Sequence, residues 1–240
     1  MQYTGSIDNR GILEIIRRSC SYVDARLMNH GYRVAYIVSE MLKPYFHEDA
    51  RKIRDVCFLT LLHDIGAYKT DEISKMLQFD TNDVLAHSVY GYLFIKYFSP
   101  LKKLSGAILL HHATWQVLEH SEVFPEGIRL LAQVIHVADR IDVAMEVQHL
   151  TWEETAALLK KGSGTKFSPV IADLALACDF HTPFEGDTDA ESLFFQLFSE
   201  IPLTQDEITD YLKMLIFTID FRSRHTVTHT ITTTTISAEL

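Results

Sequence analysis

Seven residues of this 240-residue chain combine cation-binding side chains with positions that a helix would bury: His30, the pair His63–Asp64, His87, the pair His111–His112, and Asp139. Imidazole nitrogens and carboxylate oxygens in such number are the donors with which a two-metal hydrolytic centre holds its ions.

The elements that must position them are read from periodicity. Ile12, Ile16, Cys20, Val23, Leu27, His30, Val34, Ile37 and Met41 recur at three- and four-residue intervals, the spacing of one buried helix face, so an imidazole occupies a core position at His30. Ile53, Val56 and Leu59 lead to His63 near the end of a second apolar helix, with Gly66 placed to terminate it. His87 precedes Gly91, Phe94, Ile95 and Phe98, which reads as a donor, then a residue small enough for another helix to approach, then aromatic core. His111 and His112 follow Leu104, Ile108 and Leu109, and Asp139 follows Ile128, Leu131 and Ile135. Five helices thus converge on one point.

Taken singly, a histidine on an apolar face is commonly a hydrogen-bonded core residue. A buried aspartate is different, because its charge is costly to bury unless it is paired or bound to a cation. Asp64 beside His63, and Asp139 inside the apolar run Val134–Ile141, therefore call for positive charge nearby. His47, His120, His136, His149 and His181 lack this combination and read as surface or ordinary structural residues.

His30, Leu62-His63-Asp64-Ile65-Gly66, His87-Ser88-Val89-Tyr90-Gly91, His111-His112 and Ala138-Asp139-Arg140-Ile141-Asp142 together resemble the HD-domain metal-dependent phosphohydrolases. Their order and spacing are most similar to the HD-GYP branch. The likeness runs from about Tyr22 to Pro169 and takes in a Gly-x-x-Phe-x-Pro element at Gly164–Pro169. It implies that His30, His63, Asp64 and Asp139 hold one divalent ion, while Asp64 bridges to a second held by His87, His111 and His112. Iron and manganese are the expected metals, with nickel and zinc also suited to such ligands. Two ions sharing a carboxylate would activate water as hydroxide for attack on phosphorus and offset charge on the phosphate oxygens.

The departures from the family pattern bear on substrate. Where the HD-GYP branch carries its Gly-Tyr-Pro loop, this chain reads Ala113-Thr114-Trp115-Gln116-Val117. Ala67 stands where the family's His-Asp-x-Gly motif continues into lysine, although Lys69 follows two residues later. The basic residues that usually follow the last metal-binding aspartate are replaced by Val147-Gln148-His149-Leu150, and Arg26 stands where three-metal enzymes carry a glutamate. Asp64 and Lys69 are accordingly the expected catalytic residues. Lys69, Arg33 and Trp115 are the candidate substrate contacts, although for either basic residue a solvated or ion-paired surface group is the default reading.

Composition limits the partners. A formal charge of −10 disfavours extended nucleic-acid binding, and the sequence has no apolar run near the ~20 residues needed to cross a bilayer. Cys20, Cys57 and Cys178 are odd in number and sit in apolar patterns, as expected of free thiols in the reducing cytoplasm. A small phosphorylated, nucleotide-like molecule is the expected substrate, with a second copy or a neighbouring HD-type domain as the expected protein partner.

The remaining chain reads as helix after helix. Ser99-Pro100 and Ser168-Pro169 suggest helix starts, Thr151 with Glu154 and Thr204 with Glu207 suggest capping boxes, and Val170–Cys178 suggests a short buried helix. The expected fold is all-α, an HD-domain helical bundle with additional C-terminal helices. It divides into an HD-like metal-binding unit over residues 1–165, helices packed on it over 166–221, and a helical tail over 222–240. In that tail His229, Ile236, Glu239 and Leu240 repeat the intervals of His30, Ile37, Glu40 and Met41, as in the opening helix of a truncated second HD unit; the alternative is a threonine-rich tail of β-branched character. The sequence thus points to a phosphohydrolase acting on a nucleotide or cyclic nucleotide. The alternatives are a nucleotidase-type phosphomonoesterase and a catalytically silent regulatory or dimerisation module.

Overall fold

In the computed structural model, which describes residues 11, 14–15, 18, 25–45, 49–67, 85–178, 180 and 203–223, the apolar periodicities become helices. In chain order these are α1 (Ala25–Leu42), α2 (Ala50–Leu61), α3 (Leu85–Phe98), α4 (Ser105–Leu110), α5 (Trp115–Leu118), α6 (Glu126–Asp142), α7 (Trp152–Gly162), α8 (Pro169–Leu176) and α9 (Gln205–Ser223). Among the described residues there is no strand, only an isolated bridge between Ser163 and Phe167. The all-α expectation holds. Residues 181–202 within the stretch expected to carry the C-terminal helices, and residues 224–240 of the tail, lie outside the described residues.

Helix α6 is the central element. Ala132, Ile135, Val137, Ala138 and Ile141 are fully buried, and the helix packs against α1, α4 and α8. Helix α1, with Val34, Ile37, Val38 and Met41 buried, lies on α2 as well as α6, and α3 packs on α4 and α9. Removing these aliphatic side chains from water supplies the main driving force for the bundle. Helix α6 ends in a wide π-helical turn over Val143–Val147.

The local start signals are realised with one exception. Thr151 and Glu154 form a reciprocal capping box at α7, Thr204 and Glu207 form another at α9, and Pro169 occupies the first turn of α8 after Ser168. Ser99 instead closes α3, because its hydroxyl donates back to the Ile95 carbonyl and accepts from the Leu101 amide. A short 3-10 turn, Lys102–Leu104, then intervenes before α4. The expected division between residues 165 and 166 falls inside a turn in which the Gly162 carbonyl accepts from the amides of Thr165, Lys166 and Phe167.

Helix α9 is fastened to the bundle by rings and charge together. Phe58 stacks on Tyr211 at 4.8 Å and Phe98 on Phe217 at 4.0 Å. Beside the first pair, Arg54, only 1% exposed, places its guanidinium 2.8 Å from Glu207 and 2.7 Å from Asp55, while Arg51 reaches Glu207 at 3.0 Å. Burial works against the charge on Glu207, but the Thr204 amide and the two guanidiniums outweigh it and hold the carboxyl at about 2. A folded-state value below the ordinary 4.5 means that this stabilisation is complete well above pH 4.5 and is lost as the pH falls through about 2. A tenfold change in proton affinity is worth about 1.4 kcal/mol, so Glu207→Gln should destabilise the protein by on the order of 2 kcal/mol at pH 7. In urea unfolding across pH the deficit should shrink towards pH 2; a deficit that does not change with pH would assign the effect to packing.

Candidate metal centre

Asp64 lies in the turn that follows α2, with His63 before it and Gly66 after it. That turn can sit against α3 only because residue 66 has no side chain: a methyl group there would overlap the His87 carbonyl oxygen and the Gly91 amide nitrogen. Gly91 is thus the point of close approach expected on α3, and the same contact sets His87 against Asp64. Helix α1 brings in His30, the turn after α4 brings in His111 and His112, and α6 brings in Asp139.

The carboxylate of Asp64 faces two separate sets of imidazoles. Its Oδ2 lies 3.3 Å from His63 Nε2 and 3.8 Å from His30 Nε2, whereas Oδ1 lies 3.5 Å from His111 Nε2 and 3.6 Å from His87 Nε2. His112 joins the second set, with its Nε2 2.9 Å from that of His87. Two candidate ligand groups result, His30–His63–Asp64 and Asp64–His87–His111–His112, with Asp64 common to both. Asp139 adjoins the first through a 3.4 Å approach of its Oδ1 to His30 Nε2.

Each of three rings has its other nitrogen committed. Nδ1 of His63 donates to the Thr60 carbonyl at 2.7 Å, Nδ1 of His111 to the Ile108 carbonyl at 2.6 Å, and Nδ1 of His30 to Asp142 at 2.6 Å. These bonds fix the tautomers and aim the Nε2 atoms inward, as outer-layer partners do in metal sites. Nε2 of His63, Nε2 of His111 and Oδ1 of Asp64 are buried and have no hydrogen-bond partner among the described residues. Buried polar atoms seldom go unsatisfied without a reason. A converging set of lone pairs with no donor between them fits a divalent cation.

The electrostatics agree with that fit. Burial disfavours charge on Asp64, but His63, His111 and His87 outweigh it and hold the carboxyl well below the ordinary range. Arg140 and His30 do the same for Asp139 against its burial. Burial lowers His87 to about 4, and burial beside His111 lowers His112 as well, so both rings keep the lone pairs a cation would use. His30 goes the other way. Burial opposes its charge, yet Asp139 and Asp142 overcome this and raise the ring to about 10.

The structure therefore brings together all seven residues singled out by spacing. Of the other expected contacts, Arg33 is ion-paired with Asp142 at 2.6 and 3.1 Å, Trp115 is half-buried against the hydrophobic core, and Lys69 lies outside the described residues. Among the histidines set aside, His120 and His149 are exposed, while His47 and His181 lie outside the described residues. His136 is no surface residue: it is 7% exposed and donates from Nδ1 to the His111 carbonyl at 2.6 Å. The main residue missed is Asp142, fully buried and shared by His30 and Arg33. Its signal was present, one helical turn beyond Asp139 in the same motif.

Two expectations follow. Gly66→Ala should cost roughly 1–3 kcal/mol or more in denaturant unfolding, the range for overpacking, because the added methyl meets backbone that cannot swing aside. In metal-stripped protein the His30 ring should stay protonated through pH 8, and Asp142→Asn should move its titration to lower pH. NMR of the ring protons would read both, and an unmoved titration would remove Asp142 from its assigned role.

Among the described residues no helix is long and apolar enough to cross a membrane. No curated protein and no solved structure matches this chain. The HD domain family does match it over residues 27–144, a span that contains His30, His63, Asp64, His87, His111, His112 and Asp139. The converging imidazoles and carboxylates are the polar centre of that span, and residues 27–144 of this chain form an HD domain.

Proposed function

We propose that this chain is a metal-dependent phosphohydrolase with a binuclear centre, acting on a phosphoester of a nucleotide or cyclic nucleotide. HD domains are generally those of metal-dependent hydrolases, which supports the reaction class. The observation that carries the binuclear reading is the placement of the two oxygens of Asp64 against two different histidine sets.

In this reading His30, His63, Asp64 and Asp139 hold one ion, and Asp64, His87, His111 and His112 hold the other. The ions would be iron or manganese, with nickel or zinc also compatible with imidazole and carboxylate ligands. When bound, such ions lower the pKa of water and offset negative charge on phosphate oxygens. The protein's own residues supply orientation and dryness. Thr60, Ile108 and Asp142 hold three rings in register through their Nδ1 atoms. Asp142 also neutralises Arg33, so the second carboxylate beside His30 serves positioning. The net negative charge of the chain makes a small anion attracted to bound cations a better substrate than a long polyanion. Lys69 is assigned to the substrate phosphate.

The deciding experiment is elemental analysis of protein purified without oxygen, followed by hydrolysis assays on a generic phosphodiester, cyclic dinucleotides and a nucleoside monophosphate panel. Close to two ions per chain are expected, with Asp64→Ala losing both ions and all turnover; full activity in that variant would overturn the scheme. Lys69→Ala should raise KM by roughly tenfold, the size of a lost charge-assisted contact, with metal content unchanged. A chain that holds its ions yet turns over none of these compounds would be a regulatory HD module instead.

A further inference from the structure

The turn that carries His111 and His112 leaves part of its own backbone unsatisfied. Helix α4 ends at Leu110, and the carbonyls of His111 and Ala113 are taken by side chains of another helix. From α6, His136 Nδ1 donates to the His111 carbonyl at 2.6 Å, and Gln133 Nε2 donates to the Ala113 carbonyl at 2.9 Å. Residues 133 and 136 are one helical turn apart, so one edge of α6 grips the histidine turn at two carbonyls, those of residues 111 and 113. Both donors are buried, and a buried carbonyl left without a donor is costly.

The grip is itself backed by the 162–168 turn. Gln133 Oε1 accepts from the Ser168 amide at 2.8 Å, and the Phe167 and His136 rings meet edge to face at 5.4 Å. The Lys166 and Thr165 carbonyls each accept, at 2.9 Å, from the amides of Trp115 and Gln116, just beyond the histidine pair. Gly162 makes room for Phe167, since a methyl group at 162 would press on its ring at 2.8 Å. Residues 162–168 lie past the span that matches the HD family.

We infer that His136 is a positioning residue for the His111–His112 pair, braced by Gln133 and the 162–168 turn, so that one ion of the centre depends on this clamp and the other does not. The inference rests on the two-ion reading above. His30 and His63 are held through Nδ1 by Asp142 and Thr60, which receive no hydrogen bond from His136 or Gln133 among the described residues. Asp139, one helical turn beyond His136 on α6, is held by Arg140 and faces His30. Outer-layer partners of metal ligands change affinity by roughly 10–100-fold, so the dependence is measurable as a difference between the two groups.

The test isolates each group in the full chain. His30→Ala disables the first group and His87→Ala the second, and cobalt(II) affinity is then measured by chelator competition. In the His30→Ala protein, His136→Leu should weaken the remaining ion by roughly 10–100-fold. His136→Asn, whose amide nitrogen can replace Nδ1 as donor, should recover most of that loss. In the His87→Ala protein the same two substitutions should leave affinity unchanged. Equal weakening in both backgrounds would mean that His136 supports the fold at large, and no weakening in either would mean that it positions nothing; each result overturns the inference. If His136→Leu does not fold, Gln133→Met removes the other donor and is read in the same way. An otherwise unaltered chain that takes up no second ion overturns the binuclear reading and this inference with it. Two ions in the unaltered chain with no selective loss in the variants overturns the inference alone.

Discussion

A carboxylate buried among four imidazoles is the constraint from which the rest of this structure follows. Among the described residues Asp64 has no hydrogen-bond donor of its own on Oδ1, and its charge is sustained by rings contributed from α1, α3 and the turns after α2 and α4. Burying such a group unpaired would cost several kcal/mol. Four segments distant in sequence must therefore arrive together, and the apolar faces of α1, α2, α4 and α6 bring them there. The hydrophobic core is the scaffold, and the polar centre sets the register in which it closes.

That register is controlled by groups one layer out. Three imidazoles are locked through Nδ1, two to carbonyls three residues earlier in their own chain segments and one to Asp142 on a different helix. The local bonds need no tertiary structure beyond the end of a helix. The bond to Asp142 requires α1 and α6 to be packed. The ring orientation of His30 thus depends on α1 and α6 being packed together, and Arg33 on the same helix as His30 tightens the pairing by sharing Asp142.

Much of this was legible in the sequence because donors on helical faces leave a periodic trace. His30 interrupts an aliphatic stripe, Asp139 sits inside one, and Gly91 follows His87 at a spacing that announces a close helix crossing. Capping boxes at Thr151 and Thr204 were equally plain, since they are local in sequence. His136 and Gln133 were not legible in the same way. Their role is to donate to backbone carbonyls on another element, and a carbonyl is present at every residue, so nothing in the acceptor's side chain marks the pair. Ser99 misled for a related reason: a serine before proline can start a helix or close the preceding one, and only the approach of the Ile95 carbonyl decides between them.

The attachment of α9 has a consequence for where the folding unit ends. Arg54 is sealed inside the bundle beside Phe58, and a guanidinium cannot discharge itself by losing a proton. Glu207 shares its charge with that group from a helix about 150 residues further along the chain. Peeling α9 away would break the Arg54–Glu207 pair, leave Asp55 as the carboxylate beside the guanidinium, and unstack Tyr211 from Phe58 and Phe217 from Phe98, so fraying of this helix costs charge pairing and ring packing together. The span that matches the HD family ends at residue 144, whereas the contacts that pair and cover Arg54 reach past it to α9.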